Sequence, residues 1–180
     1  MRCRNRLTDA PTINILITLL EGRYFESLAK DVFCNQQRTS TRNGILKSEA
    51  VYRFAKTLQD YGITTFGDTA DDQRNEQVRT KIQEIKGQKS GISFDYFLML
   101  AGSDRYVKAD RMLRAFVADA LRESNVSADN TRALVLAACA RLQAETPHLT
   151  PRLLDHEIWK YQREMQKSKQ KVARTEETTP

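Results

Sequence analysis

Proline stands at only four positions of this 180-residue chain: 11, 147, 151 and 180. From Thr12 to Thr146, therefore, no residue lacks the backbone N–H that a helix needs. Glycines at 22, 44, 62, 67, 87, 91 and 102 cut that stretch into pieces of helix length. Inside the pieces, apolar residues recur at helical spacing. Leu113, Phe116, Val117, Ala120 and Leu121 mark one face, and Val51, Phe54, Ala55 and Leu58 another. Tyr24, Phe25, Leu28, Val32 and Phe33 form a broader stripe, and Val78, Ile82 and Ile85 a narrower one. Leu154, Ile158 and Tyr161 repeat the pattern with Trp159 beside them. No run alternates at period two. The spacing predicts an all-α fold of about eight helices, at roughly 12–20, 23–36, 47–60, 73–86, 93–101, 109–123, 130–145 and 151–167.

Local chemistry supports these limits. Ser127 or Asp129 can cap the helix near 130. Thr150–Pro151 reads as an N-cap followed by proline in the first turn. Residues 1–167 form one helical domain in this reading. Residues 168–180 are polar and aperiodic, which predicts a disordered basic tail.

The net charge is +6, which raises nucleic acid as a partner. Residues 160–180 carry +3 of it and residues 1–9 carry +2, leaving the body nearly neutral. What remains is local: Arg38, Arg42 and Lys47 around Asn43–Gly44, then Lys86 and Lys89, then Arg105 to Arg114. The first group reads either as a solvated loop or as a phosphate-contacting one. The longest apolar stretch, Ile13 to Leu20, is too short to span a bilayer, so no membrane partner is expected. No secretory leader is visible. Cys3, Cys34 and Cys139 form no CxxC pair, which excludes four-cysteine zinc and iron–sulfur frames. The expected setting is the reducing cytoplasm, with Cys34 and Cys139 as buried thiols.

The stretch Ile85 to Phe116 carries the most chemistry. A helix ends at a turn with Gly87, Lys89 and Gly91, a very apolar helix follows, and a polar turn leads to Asp110. A glycine-rich turn can present backbone amides to a phosphate oxygen, with Lys86 and Lys89 adding attraction. It can equally be an ordinary turn. Asp110 also has two readings. It is an N-cap favoured by the helix dipole, or an ionised carboxylate that activates water or stabilises a cationic sugar.

At these residues the chain resembles the helix-hairpin-helix DNA glycosylase superfamily of the endonuclease III type. The run SGIS before an apolar helix, followed by KADRMLRAF, is similar to that family's hairpin and catalytic segment. FESLAKDVFCNQQRTS resembles its helix ending in a glutamine-bearing turn. The resemblance covers roughly residues 12–165 and implies a two-lobed fold with DNA in the cleft between lobes. It implies that Asp110, 19 positions after Gly91, is catalytic. It also implies backbone contacts from the hairpin Gly87–Gly91 and Ser93, and places Gln36 or Gln37 in the gap of the base stack.

Departures narrow the implication. Ser93 replaces the second hairpin glycine, and Asp95 stands where lyase members carry a Schiff-base lysine. Met112 replaces a family histidine, and the iron–sulfur ligands are absent. The expectation is a monofunctional glycosylase acting as a monomer on double-stranded DNA without a cofactor. Arg38, Arg42, Lys86, Lys89, Lys108 and Arg111 would contact the backbone beside the hairpin. The alternatives are a non-catalytic DNA-binding module of the same fold and a helical protein-interaction domain. His156 is expected to pack or hydrogen-bond, since the adjacent Asp155 does not share its helix face. Asp68, Asp71, Asp72 and Glu76 read as acids complementing a helix N-terminus.

Overall fold

In the computed structural model, residues 12–176 are described, and Cys3 and the basic residues 2, 4 and 6 lie outside them. Among the described residues there are eight α-helices and no strand. The chain divides between Gly91 and Ile92 into two compact units.

The first unit holds α1 (Ile13–Leu20), α2 (Phe25–Ser27, continued by a π turn Leu28–Val32), α3 (Lys47–Asp60) and α4 (Asp72–Gln83). α3 packs on α1 and α4. Its core comprises Ile17, Leu20, Leu28, Ala55, Leu58, Ile63, Val78 and Ile82, all nearly inaccessible. Each Val, Leu or Ile among them contributes about 2 kcal/mol of burial free energy. Asp71 caps α4 by accepting from Arg74 N. Asp68 closes a capping box with Thr65 ahead of it, and those backbone and hydroxyl donors hold its carboxyl at about 2. The acidic cluster thus contributes caps.

The second unit holds α5 (Ile92–Leu100), α6 (Arg111–Leu121), α7 (Ala128–Leu142) and α8 (Pro151–Glu176). α6, α7 and α8 pack on one another around Val107, Leu113, Val117, Val126, Val135 and Ile158. Ser127 is the residue that caps α7, accepting from Asn130 N. Thr150 Oγ1 accepts from Leu153 N at the start of α8. α6 stops where Arg122 takes a left-handed conformation, φ 58°, and Glu123 N returns to Ala118 O. Arg114 latches the next loop by donating to Val126 O and Asn125 Oδ1. That guanidinium serves the fold.

Four expectations need correction. The helix predicted over 23–36 ends at Val32, because Cys34 adopts φ 48° and turns the chain. The same turn leaves Cys34 exposed, while Cys139 is buried and its thiol pushed up by burial. Tyr24 and Val32 of that stripe are exposed too, so only Leu28 and Ala29 reach the core there. Lastly, α8 runs to Glu176, well into the segment expected to be an aperiodic tail. Residues 168–176 contain neither glycine nor proline, and Lys, Gln, Arg and Ala extend a helix readily. Residues 177–180 lie outside the described ones.

Candidate functional site

Asp110 is the N-cap of α6, with extended backbone at φ −76°. Its Oδ1 accepts from Met112 N at 2.8 Å and Leu113 N at 3.4 Å. Both sequence readings begin from this fact. The cap engages one oxygen. The other, Oδ2, lies 3.5 Å from Lys108 Nζ, with a quarter of the Asp110 side chain still accessible.

That accessible part lines a cleft of about 700 Å³. Every lining residue belongs to the second unit. Tyr96, Met99 and Leu100 come from α5; Asp104, Lys108 and Asp110 from the segment before α6; and Thr150, Arg152, Leu153, Asp155, His156 and Trp159 from the α8 end. The Lys108 ammonium sits 4.2 Å from the Tyr96 ring centroid, a cation–π contact. Arg152 and Asp104 pair across the rim at 3.6 Å.

Asp155 is the buried member of the site. It accepts the backbone N–H of Lys108. Burial pushes its carboxyl up to about 6; the Lys108 amide opposes this, the Asp110 charge reinforces it, and the Lys108 and His156 charges oppose it. Two carboxylates of unlike character therefore share one cleft. Asp110 is held by two amides of a helix N-terminus, and Asp155 is poised to take a proton near neutrality. Such a pair sets a helix-capping carboxylate beside a titrating acid.

Sequence reasoning found Asp110 and Lys108 but missed Asp155 and Trp159. The periodicity that identified the α8 face also put Asp155 on its buried side, one turn before Ile158 and two before Gln162. His156 is exposed and stacks nearly parallel to Trp159, centroids 6.3 Å apart and planes at 14°. Its partner is an aromatic ring on the cleft wall.

The remaining expected residues fall into three groups. Arg111 is exposed and outside the cleft lining. Ser93 is exposed in the first turn of α5. The rest belong to the first unit, where the structure joins two clusters that the sequence separates. Residues 37–47 fold back on themselves, with Thr39 N donating to Ile45 O and Lys47 N to Gln37 O. Arg38 ties the loop by donating to Gly44 O, and Lys47 Nζ donates to Gln37 Oε1. Gln36, Gln37, Arg38 and Arg42 are exposed. This loop docks on the glycine turn: Thr39 Oγ1 donates to Lys86 O at 3.0 Å. A Cβ on Gly87, φ 85°, would fall 2.5 Å from Thr39 Cβ, so glycine is needed for the approach. Lys86 and Lys89 are exposed on the same turn, and Gly91 is buried at φ 69° against Arg79. Two basic segments 47 residues apart thus form one surface.

Asp95, at the position of the lyase lysine, is buried and pairs with Arg132 of α7 at 3.4 Å. Its place is structural.

Residues 3–163 match a family model described as a domain of unknown function, DUF8548. The chain belongs to that family. The match runs through both units and takes in the whole cleft, from Tyr96 to Trp159. No curated protein and no solved structure matches the chain. Among the described residues no helix is long and apolar enough to cross a membrane.

Proposed function

We propose that this protein acts on DNA as a monofunctional glycosylase, hydrolysing the N-glycosidic bond of a damaged or modified base. One observation carries the reading. Asp110 keeps a quarter of its side chain accessible in a cleft walled by Tyr96 and Trp159, while its helix cap fixes the carboxylate in place. A base turned out of the stack needs flat apolar walls, and the sugar it leaves needs a fixed anion. In this reading the C1′–N bond breaks with its electron pair going to the base. Asp110 then stabilises the cationic sugar, water adds at C1′, and the proton it loses ends on the departed base. The joined surface of the 37–47 loop and the Lys86–Gly91 turn contacts the DNA backbone. Gln36 or Gln37 fills the vacated stack.

The test is base release from duplexes carrying a panel of damaged bases, with wild type and Asp110→Asn compared. Release by the wild type and none by the variant, at matched DNA binding, supports the reading. Equal release by both removes Asp110 from the chemistry.

A second reading, a non-catalytic DNA-binding module, draws on the same carboxylate. Both oxygens of Asp110 already have partners, the cap amides and Lys108. That reading predicts duplex binding with a steep salt dependence and no base release from any substrate.

A further inference from the structure

The face of α8 next to its buried side carries a line of planar and cationic groups, of which the base-release reading uses only Trp159. Asp155, Ile158 and Gln162 point into the second unit. One position on, about 100° around the helix, stand His156, Trp159 and Arg163, with Arg152 preceding them one turn earlier. The His156 and Trp159 rings are nearly parallel, and the Arg163 guanidinium lies 5.0 Å from the indole centroid. His156, Arg152 and Arg163 are exposed. No α8 acid stands on this line, Arg152 at its start pairs with Asp104 from outside the helix at 3.6 Å, and from Arg152 to Arg163 it spans about 16 Å at 1.5 Å per residue. Its Arg152 end opens into the cleft.

We infer that this line of α8 is a binding track for an unpaired polynucleotide strand, with bases stacking on His156 and Trp159 and phosphates meeting Arg152 and Arg163. Flat rings interleaved with cations match a chain that alternates flat bases with anions. A duplex keeps its base faces stacked internally, so it can use only the cations. An acidic polypeptide likewise has no use for the rings. The track requires no chemistry at Asp110 and stands whether or not the protein cleaves a glycosidic bond.

Trp159 is the only tryptophan of the chain, so intrinsic indole emission reports on this line alone. The full chain is titrated with an oligothymidylate of about twenty nucleotides, a duplex of equal length and polyglutamate, at about 50 mM salt. The single strand is expected to quench Trp159 and to bind about tenfold or more tighter than either competitor. With labelled oligothymidylate and anisotropy detection, Trp159→Ala should weaken binding about tenfold and Trp159→Phe much less. His156→Ala and Arg163→Ala alter exposed positions, and thermal melting checks that each variant keeps its fold. Each should weaken binding several-fold, and Arg163→Ala should lower the salt slope by about 0.7. Base release measured with Arg163→Ala, which lies outside the cleft lining, separates this result from the fate of the glycosylase reading. No single-strand binding overturns the inference. So does equal binding of duplex or polyglutamate, or Trp159→Ala binding like the wild type.

Discussion

Asp155 holds Lys108 by its backbone: the buried carboxylate of α8 accepts the Lys108 N–H. The Lys108 side chain then reaches Asp110 Oδ2 at 3.5 Å and the Tyr96 ring at 4.2 Å. One residue thereby links α8, α5 and the cap of α6. The cleft's geometry depends on a carboxylate that is itself costly to ionise.

That cost sets a pH signature. The Asp155 carboxyl titrates at about 6 in the folded chain against 3.8 for the free group. The native state thus binds the proton more tightly, and its advantage is complete below pH 4. Stability falls as pH rises from about 4 to 6 and is flat above, by a total of about 3 kcal/mol. Asp155→Asn removes the titration. Denaturant unfolding of both proteins between pH 4 and pH 7.5 should show the wild type losing ground to the variant across that window. Taking the difference cancels Asp68, whose low value acts in the opposite direction at more acid pH. A difference independent of pH would show that Asp155 is no harder to ionise when folded.

Cap and chemistry at Asp110 separate by two substitutions. Asparagine caps nearly as well as aspartate, whereas alanine leaves Met112 N and Leu113 N without their acceptor. Asp110→Ala should destabilise by about 1 kcal/mol and Asp110→Asn by much less. Base release should disappear in both. Thermal melting and a release assay on the same preparations check this. Equal melting temperatures would mean that the carboxylate contributes no cap.

The docking of the basic loop on the glycine turn makes a comparison between glycines informative. Gly22 and Gly87 both have positive φ, 72° and 85°. A Cβ on Gly22 meets nothing within 4 Å, whereas one on Gly87 collides with Thr39. Gly22→Ala should cost about 1 kcal/mol from the left-handed backbone alone. Gly87→Ala should cost about 1–3 kcal/mol more, since Thr39 must move. Equal costs in urea unfolding would show that the loop yields freely.

Helices were legible because their signals are local. Spacing located α3, α6 and the start of α8 to within a residue or two, since proline, glycine and caps act on their own neighbourhood. Asp110 was legible as a residue with two roles, because a cap and a poised carboxylate share one sequence signature. Asp155 was not. Its place in the site depends on α8 meeting the Lys108 backbone 47 residues away, and a backbone amide leaves no trace in a sequence. The joining of the 37–47 loop to the Lys86–Gly91 turn was hidden for the same reason, since Thr39 donates to a carbonyl. The α8 extension was missed because lost periodicity reports lost burial and does not by itself end a helix.

Asp95 tests whether the lysine of lyase enzymes has any room here. The residue is 1% exposed, and Arg132 approaches it at 3.4 Å while also pairing with Asp129 at 3.0 Å. Lysine at this position would set two cations against each other in a buried place, at a cost of about 3–5 kcal/mol. Asp95→Lys should therefore unfold the chain or lower its melting temperature by many degrees, with no lyase activity gained. Reversing the pair, Asp95→Lys with Arg132→Glu, restores opposite charges and should recover part of the loss. Recovery in the double variant attributes the cost to the charge pair, because a purely steric penalty would persist. If Asp95→Lys alone melts like the wild type, the ion pair contributes nothing and the position is open to the lyase residue after all.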